Sequence, residues 1–168
     1  YGSTYGRNIN VEVGAEKLNG ILLMPGEEFS VTDAVVPFNA ENGYELAPSY
    51  ESGQVVDSYG GGICQVSTTL YNALLQAELQ ILERHNHTMI VTYVEPSMDA
   101  AIAEGLMDLR FANDTDYPIY IEGGAWGGAL TFTIYGHETR PADRYVQYVS
   151  ETLDSSTAEG VKLVPKYD

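Results

Sequence analysis

The sequence predicts an α+β fold: a long buried central helix over about residues 64–83 packed on an antiparallel sheet, with an N-terminal helix and a glycine-rich loop region ahead of it. Three observations predict it. From Cys64 onward, apolar residues recur at helical spacing on two adjacent faces, with Cys64, Thr68, Tyr71, Leu75, Leu79 and Leu82 on one and Val66, Leu70, Ala73, Leu74, Ala77 and Ile81 on the other. The second half of the chain is a series of short runs rich in β-branched and aromatic residues, separated by turn residues. Thirteen tyrosines and seventeen glycines suit strands, turns and half-wet surfaces better than a helical bundle.

In order, Arg7 to Asn19 reads as a helix, because Val11, Ala15 and Leu18 share a face and Asn19-Gly20 supplies a stop. Ile21 to Met24 is a short apolar run ended by the turn pair Pro25-Gly26. Residues 26 to 62 read as ordered loop and edge structure punctuated by Phe29, Val35, Phe38, Tyr44 and Tyr50, with a strand-like piece at Gln54 to Asp57. After the central helix, Thr88 to Val94 alternates as a strand and Pro96 to Glu104 reads as a helical turn. Asp108 to Ala112, Pro118 to Glu122 and Ala129 to Tyr135 read as an antiparallel meander, with a turn region at Gly123–Gly128. Arg144 to Thr152 and Val161 to Val164 read as further strands. The expected division is therefore a domain over 1–136 and a C-terminal strand extension over 137–168 that begins a second module.

The formal net charge is −16, from 24 acidic and 8 basic side chains. Such a polyanion is repelled by nucleic acid and by anionic lipid, so neither is an expected partner. The acidic residues are scattered rather than grouped as in a calcium loop. One cysteine excludes an internal disulfide and leaves a free thiol. No apolar run reaches transmembrane length, so no membrane insertion is expected within this chain. The sequence opens on Tyr1, so the absence of a signal-like opening carries no information about export.

The strongest chemical feature is Gly60-Gly61-Gly62-Ile63-Cys64-Gln65. Glycines ahead of a helix permit left-handed backbone and close approach of another chain. A thiol in the first turn faces unpaired N–H groups and the positive end of the helix dipole, which favour thiolate over thiol. The same N–H groups can hold an oxyanion, making Cys64 a candidate nucleophile and Gly61, Gly62 and Gln65 candidate substrate contacts. The plainer alternative is that Cys64 is a small core residue continuing an apolar stripe. His85 and His87 follow the helix and are candidate general bases, His87 being nearer the expected strand. Asp99 and Asp108 are candidates to orient the imidazole, with Asn113 behind them, although Asp99 also suits a helix cap before Ala100. A zinc site built from Cys64, His85, His87 and a carboxylate lacks a second cysteine and a recognised spacing, so no metal and no cofactor are expected. Trp126, on a glycine-rich hairpin tip, is a candidate for stacking on a sugar ring or equally a loop anchor. Arg110 is expected to pair with Asp108 or Glu122, and His137 to face solvent.

The run Gly60 to Ala73 is similar to the signature of the VanW family. So are Pro25-Gly26-Glu27-Glu28-Phe29-Ser30, Glu83-Arg84-His85-Asn86-His87, Asp99-Ala100 and Asp108-Leu109-Arg110-Phe111-Ala112-Asn113, in the same order over roughly residues 4 to 136. The resemblance implies a bacterial extracellular or cell-envelope protein, exported and cell-wall associated, in a family named from an accessory protein of vancomycin-type glycopeptide resistance. The family pattern commonly has glycine where this chain has Glu78 and Ser97; the first lies late in the expected helix, the second in the turn before Asp99. A weaker similarity is to transglutaminase-like and papain-like cysteine enzymes, which also order a helix-start cysteine, a histidine and then an acidic or amide residue. Two functions follow as expectations. One is a cysteine-dependent amidase, peptidase or transpeptidase acting on peptidoglycan stem peptides. The other is a non-catalytic peptidoglycan-binding or scaffold domain whose Gly60–Gln65 helix start holds a carboxylate.

Overall fold

The structure, a computed structural model, describes residues 4–51 and 54–156. Helix α1 (Tyr5–Lys17) starts at Thr4, whose hydroxyl accepts from the Arg7 N–H, and buries Val11 and Ala15. Strands β1 (Ile21–Leu23) and β2 (Glu28–Ser30) and the short helix α2 (Val31–Val35) follow. A hairpin of β3 (Leu46–Glu51) and β4 (Gln54–Tyr59) leads into helix α3 (Ile63–Gln76) and strand β5 (Gln80–Glu83). A 3-10 turn at Ala40–Asn42 precedes the hairpin, and strands β6 (Arg110–Ala112), β7 (Ile119–Trp126) and β8 (Ala129–Tyr135) complete the described elements. They form two three-stranded antiparallel sheets, β1-β7-β8 and β2-β6-β5, beside the β3-β4 hairpin. The fold is α+β, as the sequence predicts.

Helix α3 packs against α1 and β8. Its fully buried Val66, Leu70 and Leu74 lie at the expected four-residue spacing and meet Val11, Leu18, Phe111 and Ile121 in one core. The two helices approach closely because Gly14 has no side chain: a Cβ there would stand 2.4 Å from Cδ1 of Ile63.

Helix α3 is shorter than expected, ending at Gln76 rather than near Glu83. Glu78 takes a left-handed φ of 56°. Its N–H donates to the Leu75 carbonyl at 3.0 Å, and the Leu79 N–H donates to the Leu74 carbonyl at 3.1 Å. Those two bonds form a Schellman cap, sealed by contact-forming apolar residues at Leu74 and Leu79, and they turn the chain out of the helix. Ile81 and Leu82, which continued the helical spacing in the sequence, therefore belong to β5.

The expected strand over Thr88 to Val94 is not formed; these residues are irregular. β-branched residues form a strand only against a pleated neighbour, and no strand pairs with these residues among the described ones. Pro96 to Glu104 is likewise not helical. Met98 N–H bonds back to Glu95 O at 3.1 Å, with Pro96 second and Ser97 third at φ 69°, the pattern of a type II turn. Beyond it, residues 98–102 lie along α3 and are held by its side chains. Asn72 Nδ2 donates to Met98 O at 2.8 Å, Ser67 Oγ to Ala100 O at 2.6 Å, and Cys64 Sγ to Ile102 O at 3.5 Å. Thr68 Oγ1 accepts from the Ala100 N–H at 2.9 Å.

The expected meander is also revised. β7 and β8 form a hairpin, but β6 sits between β2 and β5 in the other sheet. The buried Asn113 makes that crossing: its Nδ2 donates to Leu23 O and Tyr117 O, and its Oδ1 accepts from Thr115. Asn113 thus serves the loop and no imidazole. The turn expected over Gly123–Gly128 contracts to Gly127-Gly128, both at positive φ, as a two-residue hairpin turn requires. No strand forms over 144–152; Arg140, Arg144 and Tyr148 return instead to the end of α3, on Gln76 O, Glu78 and Leu75 O. Val161 to Val164 lies outside the described residues.

Ser97 is exposed and occupies the turn position that favours glycine. Ser97→Gly is expected to raise stability by about 1 kcal/mol, through relief of the left-handed backbone. Thermal unfolding checks this; an unchanged or lower midpoint would mean that the turn stores no such cost.

Candidate functional site

The site begins at the glycine turn. Gly60 and Gly62 have φ of 82° and 103°, and Gly62 is the N-cap of α3. Gly61 passes so close to β3 that a Cβ would stand 2.3 Å from the Ala47 carbonyl oxygen. Asn10, buried on α1, locks this arrangement by donating to Gly61 O at 3.0 Å and Glu45 O at 2.9 Å. Within the turn, the Ile63 N–H is taken by Gly60 O and the Gln65 N–H by Gly62 O. The N–H of Cys64, between them, is the first-turn donor these bonds leave over. Cys64 is partly buried and lines an open cleft of about 340 Å³ together with Gly61, Gly62, Gln65, His87 and Tyr93.

His87 comes from the irregular segment after β5 and lines the same cleft as Cys64. Its Nδ1 lies 2.6 Å from Asp99 Oδ2, which also accepts the His87 backbone N–H at 2.7 Å. The other oxygen of Asp99 accepts from Arg84 Nη2 at 2.8 Å, while Arg84 Nε donates to the Asp99 carbonyl at 2.7 Å. Arg84 also lies over the Tyr71 ring, 5.6 Å from its centroid. An ionised carboxylate only accepts, so Nδ1 carries the hydrogen and Nε2 is the accepting nitrogen of the neutral ring. Tyr93 meets the imidazole edge-on, with centroids 6.4 Å apart, and burial pushes its phenol up to about 12.

The pKa of His87 is raised, chiefly by hydrogen bonding with Cys64 and further by Asp99, against the opposing effect of burial. For Asp99, burial is the largest single influence and opposes ionisation. The His87 N–H and ring and the charge of Arg84 together outweigh it and lower the pKa.

Of the sequence-predicted residues, Cys64, His87, Asp99, Gly61, Gly62 and Gln65 are brought together, and three are not. His85 pairs with Glu83, with Nε2 2.8 Å from Oε1, while its backbone bridges Ala101. The zinc set that needed both histidines is therefore not assembled, and among the described residues no cluster of His, Cys, Asp and Glu is arranged to hold a metal ion. Asp108 caps α2, accepting from Ser30 Oγ at 2.6 Å and Thr32 N at 2.9 Å. Trp126 ends β7 at 83% exposure and does not line the cleft. Asp99 is no helix cap, and Arg110 pairs with Glu28 rather than Asp108 or Glu122. His137 is exposed, with its ring on Tyr117. Sequence reasoning missed Arg7 and Tyr93, which carry no local motif, and Arg84, which sits inside the quoted Glu83–His87 run.

A raised histidine pKa stabilises the fold fully below the ordinary value of about 6.5 and is lost as pH rises through the folded value. Stability is thus expected to fall with rising pH above about 6.5, and His87→Gln to flatten that slope. Denaturant titrations across pH check it, with the His87 ring followed by NMR; a ring midpoint at or below the free value, unmoved by Asp99→Asn, contradicts the network.

Comparison with known proteins places this geometry in a family. Residues 6–135 match the family described as VanW like protein. The chain is 38% identical to the uncharacterized protein YoaR of Bacillus subtilis (strain 168) over 136 residues, 81% of this chain and 45% of that protein. It is 34% identical to the vancomycin B-type resistance protein VanW of Enterococcus faecalis (strain ATCC 700802 / V583) over 120 residues, 67% of this chain and 43% of that protein. The chain thus spans less than half the length of these relatives. No solved structure matches it. Every residue of the cleft described above falls inside the matched region, and the chain belongs to the VanW-like protein family.

Proposed function

We propose that this domain is a cysteine-dependent amidase, peptidase or transpeptidase of the bacterial cell envelope, acting on peptidoglycan stem peptides. The observation that carries the reading is that His87, paired through Nδ1 with Asp99 Oδ2 at 2.6 Å, lines the same open cleft as Cys64. Asp99 holds the imidazole in the tautomer whose Nε2 accepts the thiol proton, and Arg84 holds Asp99. The thiolate attacks an amide carbonyl, the Cys64 N–H and the Gln65 amide meet the developing oxyanion, and His87 returns the proton to the leaving amine. The envelope location rests on family membership and on the vancomycin-resistance name of one relative. Among the described residues no helix is long and apolar enough to cross a membrane.

The test is incubation with purified peptidoglycan and synthetic stem peptides, followed by mass analysis of released or joined products. Wild type is expected to generate products, Cys64→Ser to abolish them, and Asp99→Asn to slow them by about 10²–10⁴-fold with little loss of folding. Retention on peptidoglycan without any product, unaffected by Cys64→Ser, would instead establish the non-catalytic wall-binding domain.

A further inference from the structure

We propose that Arg7 is the carboxylate-recognising residue of this cleft, so that the substrate carries a free carboxylate one or two residues from the amide that Cys64 attacks. The inference deepens the reading of Cys64 as a nucleophile and rests on it. Five arginines lie among the described residues. Arg84, Arg110, Arg140 and Arg144 each pair with a carboxylate of the chain. Arg7 makes no such pair among the described residues, although the chain has 24 acidic against 8 basic side chains. Its Nη2 donates to Gln65 Oε1 at 2.7 Å, a neutral amide oxygen. A guanidinium has five N–H donors in a fixed fork, so this bond orients the fork while leaving most of it for a ligand.

The position of Arg7 is set by the same glycine turn that presents the thiol. A Cβ on Gly62 would stand 2.8 Å from Arg7 Cγ and 3.2 Å from its Nη1, so the side chain lies across the N-cap of α3, where only glycine leaves room. Gly62 is two residues before Cys64, at most about 7 Å along the backbone. That span matches one or two residues of an extended peptide, at roughly 3.3–3.6 Å each. The lining includes one carboxylate, Glu104, next to Ala103 on the segment past Ile102. Planar bidentate pairing is the geometry by which arginine selects carboxylates.

In the reaction this implies, Cys64 sulfur bonds to the carbonyl carbon and the carbon–nitrogen bond breaks. The thiol proton passes through His87 to the departing amine, whose residue carries the carboxylate held by Arg7. Water then hydrolyses the thioester, or a second amine displaces the sulfur, and the thiol is regenerated.

Two alkylating probes of similar size separate anion recognition from thiol reactivity: iodoacetate, which carries a carboxylate, and iodoacetamide, which does not. In the intact chain, Cys64 is expected to react saturably with iodoacetate, and Arg7→Gln to lower the iodoacetate-to-iodoacetamide rate ratio by about tenfold. Arg7→Lys should recover part of it, because the charge returns without the fork. Acetyl-Ala-Ala with a free C-terminus should protect Cys64 better than its C-terminal amide; protection by acetyl-Ala-Glu amide would assign the carboxylate to a side chain instead. A ratio unchanged in Arg7→Gln, with iodoacetamide alkylation still dependent on His87, overturns the role of Arg7 alone. Failure of both reagents to label Cys64 in the folded protein overturns the nucleophile reading and this inference with it.

Discussion

The site depends on a polar seam in which side chains of α3 take the place of a neighbouring strand. Cys64, Ser67, Thr68 and Asn72 hold the main chain of residues 98–102, using the carbonyls of Met98, Ala100 and Ile102. The register works because four helical residues advance about 6 Å and two extended residues about 6.6 Å. Alternate carbonyls of the extended segment therefore meet successive turns of the helix. Ser67, Thr68 and Ala100 are buried, so these groups would be costly to leave unpaired. That penalty fixes the segment lengthwise, and with it Asp99.

Once the seam sets the Asp99 backbone, the remaining bonds follow with little freedom. Asp99 stands between Arg84 and His87 and pairs with both. It has two oxygens and three donors, from Arg84 and from the backbone and ring of His87, and all are satisfied. A carboxylate so placed tolerates burial because its charge is compensated on both sides. It also replaces the strand ladder that residues 88–94 lack, since the His87 N–H bonds to Asp99 rather than to a neighbouring strand.

The opposite wall of the cleft is built by a different device. Asn10 on α1 ties the glycine turn to the start of β3, so the first helix, the hairpin and the start of α3 share one anchor. Arg7 stands less than one helical turn before Asn10 and so belongs to the same rigid unit. The matched region of the family begins at residue 6 and includes the described residues of both walls.

The sequence by itself determined the fold class, both principal helices, the β7–β8 hairpin, and the triplet Cys64, His87 and Asp99 among its candidates. These are local matters: periodicity, glycine punctuation, and chemically distinctive side chains in a short motif. Glu78 and Ser97 were visible as departures where glycine is common, and both take positive φ, one ending α3 and one turning the chain toward Asp99. Their conformations could not be read locally, since helical spacing runs unbroken through Leu79 and Leu82. Tertiary structure alone decided that His85 pairs with Glu83, that Asp108 caps a helix, and that Arg7 and Tyr93 enter the cleft. Most of those outcomes depend on contacts between residues far apart in the chain, such as Asp108 with Thr32, 76 residues away.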